Sequence, residues 1–247
     1  MNEQLNDRGV RNAGIAEQGE HANHTGSERP VGGGCTLETA RFRPVPGTDE
    51  ATLLAAAAKA GAALSRFDGF VGRTLLRAED EETWIDLVAW RSPEAARQAA
   101  ETIFAEPEAG DFLSAIDPAS VAMDHWSPLA DLTVGAEAAE AAAVCRCVEL
   151  IECRLKPGVA AERYRQVAAE LGGKLASADE CLRRELYVQP DTERWLEIVY
   201  YVDRDAANRL FERLRDDPAM REGMSIVDEG SLSVRFAAPA APYPAAT

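Results

Sequence analysis

Apolar and polar positions alternate with period two over Trp84-Ile-Asp-Leu-Val-Ala-Trp90, and the same alternation returns in Trp195-Leu-Glu-Ile-Val-Tyr-Tyr201. Strict alternation marks a strand whose two faces meet different neighbours. One face carries an aromatic, a carboxylate, a valine and an aromatic: Trp84, Asp86, Val88 and Trp90, answered by Trp195, Glu197, Val199 and Tyr201. The other face is mainly aliphatic, with Ile85, Leu87 and Ala89 answered by Leu196, Ile198 and Tyr200. A helix layer over the aliphatic face would turn the aromatic and carboxylate face into the space between two sheets.

The two stretches lie 111 residues apart (195 minus 84), and the same offset aligns Glu38 with Glu149, Pro46-Gly47 with Pro157-Gly158, Arg73 with Arg184, and Pro107 with Pro218. Over 38–128 against 149–239, 23 of 91 pairs are identical without a gap. A long-period repeat has to be recognised before the fold is assigned, and two copies read as a duplicated domain.

Each copy predicts the same order of elements. A first strand (36–43; 148–155) ends at the Pro-Gly turn, and a helix follows with the stripe Leu53, Ala57, Ala60, Leu64 or Tyr164, Ala168, Leu171, Leu175, spaced 4, 3 and 4. A second strand (70–77; 181–188) pairs through a short polar turn with the alternating strand. The second helix starts at a capping residue, Ser92 or Asp203, and shows the stripe Ala96, Ala99, Ile103 or Ala207, Leu210, Leu214. A short irregular or helical piece after Pro107 or Pro218 leads to a closing strand, 120–126 or 231–236.

The order βαββαβ is the ferredoxin-like split βαβ unit, a four-stranded antiparallel sheet with both helices on one face. The bare face of each sheet needs a partner, and here the partner is built into the chain. The expected fold is α+β, two tandem ferredoxin-like units packing sheet to sheet as an intramolecular α/β barrel. The expected organisation is a disordered tail over 1–34, domain 1 over 35–128, a linker over 129–144, domain 2 over 145–238 and a tail over 239–247. The Ala/Glu-rich linker reads as either solvated chain or a short helix.

These features resemble a tandem member of the dimeric α/β-barrel superfamily, and in particular the antibiotic biosynthesis monooxygenase (ABM)-like domains. The resemblance rests on the Pro-Gly turn after strand one, Gly69-Phe70 with Arg73 and Leu75, Trp84-x-Asp86-x-Val88-x-Trp90 followed by Ser92 and Glu94-Ala95-Ala96, and the ending Ile116-Asp117 with Val121-x-Met123-x-His125. It covers about 180 residues and implies that repeat 1 packs on repeat 2. The superfamily holds cofactor-free monooxygenases, haem-degrading enzymes, isomerases, dye peroxidases and members with no known reaction.

Composition narrows the partners. With 42 acidic against 26 basic side chains the formal charge is -16, which argues against binding nucleic acid or an anionic membrane surface. No apolar run approaches a bilayer span and the N-terminus lacks the apolar core of a signal peptide, so the expected location is cytoplasmic. Five cysteines are too few and too strand-embedded for a disulfide framework. His21 and His24 have a spacing that could touch a metal but no ligand partners, and no metal site is expected.

On the face expected between the sheets, a carboxylate needs a partner. Arg73 and Arg184 stand on the adjacent hairpin strand, so Arg73–Asp86 and Arg184–Glu197 are expected pairs. Two readings stay open for them: ties between elements, or groups orienting a ligand between Trp84, Trp90, Trp195 and Tyr201. His125 is the one histidine inside a domain, where repeat 2 has Phe236. It is either a general base for a phenolic or enolic substrate or a satisfied histidine at the barrel rim. On this asymmetry, repeat 1 is the expected place of a pocket. Neither helix supplies a histidine as an axial haem ligand, and no cofactor is expected.

The resulting expectation is a small-molecule enzyme of the cofactor-free monooxygenase-like type, holding an aromatic or polyketide-like substrate between the sheets. The alternative is a non-catalytic small-ligand-binding or stress-associated barrel module. Pairing within the chain satisfies both sheets, while the outer barrel edges leave a homodimer open.

Overall fold

The computed structural model describes residues 35–80, 82–189 and 191–240. The tail expected over 1–34, with His21 and His24, and everything after Ala240 lie outside the described residues. Repeat 1 runs β1 (Thr36–Phe42), α1 (Glu50–Leu64), β2 (Phe70–Ala78), β3 (Trp84–Trp90), α2 (Pro93–Thr102), α3 (Pro107–Ser114) and β4 (Ala122–Pro128). A connection carrying β5 (Val134–Gly135) and α4 (Ala138–Val144) leads to repeat 2: β6 (Cys147–Arg154), α5 (Ala161–Ala176), β7 (Cys181–Gln189), β8 (Arg194–Tyr201), α6 (Arg204–Leu214), α7 (Pro218–Ile226) and β9 (Ser233–Pro239).

Local chemistry sets the element boundaries. Gly47 and Gly158 take positive φ (93° and 84°) in the two Pro-Gly turns, a conformation that costs glycine little. Asp49, Ser92, Asp203 and Asp217 cap their helices by accepting backbone N–H groups. The pieces after Pro107 and Pro218 are regular helices from the proline onward, because proline at the first helical position has no N–H to lose. The expected tail boundary at 239 moves: Pro239 belongs to β9, and the Ala240 N–H donates to the Leu75 carbonyl.

All strand pairings are antiparallel, in the order β4-β1-β3-β2-β9-β6-β8-β7, and a further β4–β7 pairing closes an eight-stranded barrel. The seams are themselves equivalent: Leu76 faces Pro239 where Tyr187 faces Pro128. Each repeat has a register shift at the same place in its hairpin, Phe70/Gly72 and Cys181/Arg183. The connection is structured, since β5 adds to the edge of β7 with Val134 opposite Arg184. Gly135 is required there, because a Cβ would lie 2.4 Å from the Leu182 carbonyl oxygen and φ is 99°.

The barrel interior is filled by the aliphatic faces. Leu37, Leu76, Ile85, Leu87, Trp126, Val148, Leu150, Tyr187, Leu196 and Ile198 form one buried cluster drawn from both sheets. Trp84, Val88, Trp90, Trp195, Val199 and Tyr201 lie instead on the outer faces, beneath the helices. This reverses the expected orientation. Alternation shows that a strand has two faces but not which one looks inward, and side-chain volume decides. Branched aliphatics from two sheets interdigitate in a narrow barrel. On the outside, α1 presents buried alanines (Ala56, Ala57, Ala60, Ala63), and the large rings and guanidinium groups of the sheet take up the space beneath it.

One end of the barrel carries charge. Arg41 bonds Glu152 (2.5 Å), and Arg194 bonds both Asp124 (2.7 Å) and Glu152 (2.6 Å). Arg41 and Glu152 are equivalent positions (41 plus 111), so in this pair opposite signs at one position of the repeat face each other. Among the described residues no helix is long and apolar enough to cross a membrane.

The interior cluster carries the fold, so Ile198→Ala, at a side chain with 0% exposure, should lower the stability measured by urea unfolding by about 3–4 kcal/mol. Val121→Ala, on the barrel exterior at 42% exposure, should change it by less than about 0.5 kcal/mol.

Candidate functional site

Arg73 and Arg184 do the same work in the two repeats. The Arg73 Nε donates to both Asp86 oxygens (2.8 and 3.0 Å), Nη2 donates to Oδ2 (2.8 Å) and Nη1 donates to the Ala57 carbonyl of α1 (2.7 Å). Arg184 donates from Nε and Nη2 to Glu197 (2.6 and 3.0 Å) and from Nη1 to the Ala168 carbonyl of α5 (2.6 Å). The expected pairs are therefore present, and each also ties its sheet to the first helix of its repeat. At equivalent positions on α1 and α5, a Cβ on Gly61 would make an ordinary contact with Arg73 Nη1 (3.5 Å), whereas one on Gly172 would crowd Arg184 Nη1 (3.2 Å).

What surrounds the two pairs differs. In repeat 1 the Arg73 guanidinium stacks 4.7 Å over Phe112, which meets Phe42 edge-on at 5.6 Å. Trp90 meets Phe70 in the same way at 5.7 Å, and these rings pack in buried clusters beneath the helices. The equivalent positions in repeat 2 are Gly223 for Phe112, Cys153 for Phe42, Cys181 for Phe70 and Tyr201 for Trp90. Removing that much ring volume leaves a cavity of about 490 Å³ between the outer face of β6, β8 and β9 and helices α5, α6 and α7. Its volume is in the range of small-molecule sites.

This cavity lies in repeat 2, outside the barrel wall, and a separate groove borders His125 of repeat 1. Between the sheets stands the packed cluster of leucines, isoleucines and valine with Trp126 and Tyr187. Most of the cavity wall is apolar, including Leu171, Phe211, Met220 and Phe236, while Glu149, Arg184, Glu197, Tyr201 and Arg204 supply the polar groups. Trp195 packs on Tyr164 at the sheet beneath (4.7 Å between ring centroids). Of the expected ligand-contacting residues, Arg184, Glu197 and Tyr201 line the cavity, whereas Arg73, Trp84, Asp86 and Trp90 form the filled core of repeat 1.

Glu149 is the group that sequence reasoning passed over. Its Oε2 accepts from the Tyr201 hydroxyl (2.8 Å). Withdrawal from water pushes its carboxyl up to about 7; nearby Glu197 adds to the rise, and the tyrosine bond and Arg204 oppose it. The signal was present in the alignment, since Glu38 and Glu149 are a carboxylate retained at the same strand position in both repeats. The Tyr201 hydroxyl is held protonated by burial and by Glu149.

His125 lies elsewhere. It stands on β4 opposite Glu38 of β1, its Nε2 3.0 Å from Glu38 Oε2, with its side chain 49% exposed. The surrounding space is an open groove of about 430 Å³ that includes Met123, Gln189 and Thr192. The hydrogen bond to Glu38 raises the imidazole pKa above its ordinary value, against a smaller opposing effect of burial. The imidazole is thus paired with a carboxylate in an open groove and is not enclosed by apolar walls. Glu38 thus meets His125 at an exposed edge, whereas its counterpart Glu149 meets Tyr201 inside a cavity. Among the described residues no group of three or more His, Cys, Asp or Glu is placed to hold a metal ion.

No protein-family model matches the chain, and no curated protein matches it. Solved structures do. A candidate monooxygenase from Lactobacillus acidophilus NCFM superposes with a TM-score of 0.59 at 14% identity, over 84% of this chain and 95% of that one. A candidate monooxygenase from Fusobacterium nucleatum subsp. nucleatum gives 0.62 at 9% identity, over 84% and 93%. An anthrone oxidase-like protein gives 0.58 at 12% identity, over 83% and 91%. At such identities the likeness shows the fold, and that fold is the α/β barrel described above.

If Glu38 holds the His125 proton, the imidazole followed by NMR should titrate above 6.5 in the wild type and return toward 6.5 in Glu38→Gln. An unchanged titration in the variant would remove the pairing as the cause.

Proposed function

We propose that the repeat 2 cavity is the active site of a small-molecule enzyme of the cofactor-free monooxygenase-like type, acting on a flat, largely apolar substrate with an acidic C–H or phenolic proton. The observation that carries this reading is Glu149: a carboxyl tuned to about 7, inside an apolar cavity of about 490 Å³. A base is most effective when its pKa lies near the working pH. The base role passes from His125, half-exposed in the other repeat, to Glu149. The folds of the monooxygenase-like and anthrone oxidase-like structures are consistent with this assignment.

The reaction balances without a cofactor. Glu149 takes a proton from a substrate CH2 activated by a neighbouring carbonyl and aromatic rings. The resulting carbanion passes one electron to O2, and the radical pair joins as a peroxide anion on that carbon. Reprotonation and loss of the second C–H proton with cleavage of the O–O bond give a ketone and one water, so that CH2 plus O2 becomes C=O plus H2O. The Tyr201 hydroxyl orients the Glu149 carboxyl, and the Arg184–Glu197 pair fixes the floor of the cavity.

A haem iron does not fit the donor set here. The described residues bring no imidazole to the cavity, since His125 stands on the other repeat. The Cys153 thiol is pushed up to about 11 by burial, and Tyr164 and Tyr201 are held protonated the same way, so none is ready as an anionic axial ligand.

Oxygen uptake with an anthrone-type substrate tests the assignment. Glu149→Gln should lower kcat by about 100-fold or more, with His125→Ala close to wild type. Wild-type kcat/KM should rise as pH increases through about 7, because the base form is the carboxylate. Stable ligand binding without oxygen uptake would leave the non-catalytic binding module as the function.

The same group sets a stability trend. A carboxyl with a folded pKa of about 7, against an ordinary 4.5, binds more protons folded than unfolded between those values. Stability should therefore fall as pH rises from 4.5 to 7 and level off above, by roughly 1–3 kcal/mol in total. Glu149→Gln should abolish that portion of the slope in urea unfolding measured across this range.

A further inference from the structure

The cavity has two guanidinium groups, and they are held in opposite ways. Arg184 is 1% exposed and locked by Glu197 and the Ala168 carbonyl, so neither partner can be exchanged cheaply. Arg204 is the first residue of α6, where repeat 1 has Pro93, and it stands at the cavity with its Cζ 3.5 Å over the Phe236 ring. Its Nε donates to Glu79 Oε1 (2.7 Å), a carboxylate from repeat 1 on the β2–β3 turn, and its Nη1 donates to the Asn208 side-chain carbonyl one turn along α6. That pair is solvent-exposed, 39% for Arg204 and 53% for Glu79.

A cation in the first turn of a helix works against the helix dipole, so helix stability does not explain the placement. The Glu79 backbone is fixed by its own bond, its N–H donating to the Phe236 carbonyl (2.9 Å), which leaves the carboxylate as the movable part. Phe236 is the register partner of Glu149 across β9 and β6, so the guanidinium, the ring and the candidate base lie within one residue spacing. When Glu149 removes a proton, negative charge develops on the substrate at that spot. Arg204 is the cavity cation whose charged partner, Glu79, is exposed and exchangeable, while the neutral Asn208 amide leaves the cation's charge uncompensated.

We propose that Arg204 anchors an anionic oxygen at the edge of the aromatic system that enters the cavity, a carboxylate or an ionised enol or phenol, and that Glu79 of repeat 1 occupies Arg204 until that oxygen displaces it. This deepens the reading of the cavity as the ligand site and rests on it. The preferred substrate is then an aromatic compound carrying an acidic oxygen, and the site in repeat 2 is completed by a residue from repeat 1. A solvent-exposed ion pair is weak, so its exchange for a ligand oxygen inside the cavity mouth is cheap.

The test is equilibrium binding of a matched pair, 9-anthracenecarboxylate and 9-anthracenemethanol, to the full chain, followed by their fluorescence. Arg204→Met should weaken carboxylate binding by about ten-fold or more while leaving the alcohol within about two-fold. Glu79→Gln, at an exposed turn residue, should tighten the carboxylate several-fold and leave the alcohol unchanged. The proposal is overturned if either substitution moves both ligands alike, or if Glu79→Gln lowers the melting temperature with no change in either affinity, which is the behaviour of a staple between repeats. If neither ligand binds the wild type, the cavity reading itself falls and takes this proposal with it. Loss of turnover in Glu149→Gln bears on the base alone.

Discussion

Closing two four-stranded sheets into one barrel uses up one face of every strand, and the rest of the molecule follows from which face that is. The interior is narrow and shared by both repeats, so it takes interdigitating branched side chains such as Leu87, Leu196 and Ile198. Trp84, Asp86 and Trp90 of β3 and Trp195, Glu197 and Tyr201 of β8 are thereby sent outward, under the helices, while Tyr200 stays with the interior cluster. A buried carboxylate in that layer needs a partner, and Arg73 and Arg184 supply it while also reaching a helix carbonyl. Sheet closure and helix docking are thus linked through one guanidinium per repeat.

With the backbone order and the arginine ties held in common, the repeats differ by what fills the outer layer. Repeat 1 fills it with Phe42, Phe70, Trp90 and Phe112. Repeat 2 replaces these with Cys153, Cys181, Tyr201 and Gly223, and part of the lost volume returns as larger residues on the helices, Val167 and Leu171 where repeat 1 has Ala56 and Ala60. The balance is a cavity. The same strand glutamate then acquires two environments: Glu38 meets a half-exposed imidazole, Glu149 meets apolar walls and a phenol. Water exclusion sets one of them near neutrality.

The element order, the repeat boundary, the helix caps and the two arginine–carboxylate pairs were legible in the sequence, because each leaves a local mark: a period, a capping residue, a charge in an apolar row. The face assignment was not, since alternation is symmetric and inside and outside are settled by volumes summed over both sheets. The cavity was hidden for a related reason. It is lined by three small or shortened side chains spread over β6, β8 and α7, at Cys153, Tyr201 and Gly223, and only the two-repeat alignment read for side-chain size, not identity, brings them together. His125 drew attention as a chemical difference between repeats, while the decisive difference was steric.

Joining the repeats in one chain also removes a constraint that two identical partners would obey. In a symmetric pair every substitution appears twice, so a residue at the seam faces its own kind. Here Arg41 faces its counterpart Glu152, a pairing of signs that identical halves could not make at equivalent positions. The same freedom lets Glu79 of repeat 1 reach Arg204 at the mouth of the repeat 2 cavity with no requirement for a reciprocal contact, since the position equivalent to Arg204 is Pro93. One repeat can therefore stay a filled scaffold that closes the barrel and supplies an edge of the site, while the other gives up packing to hold a ligand.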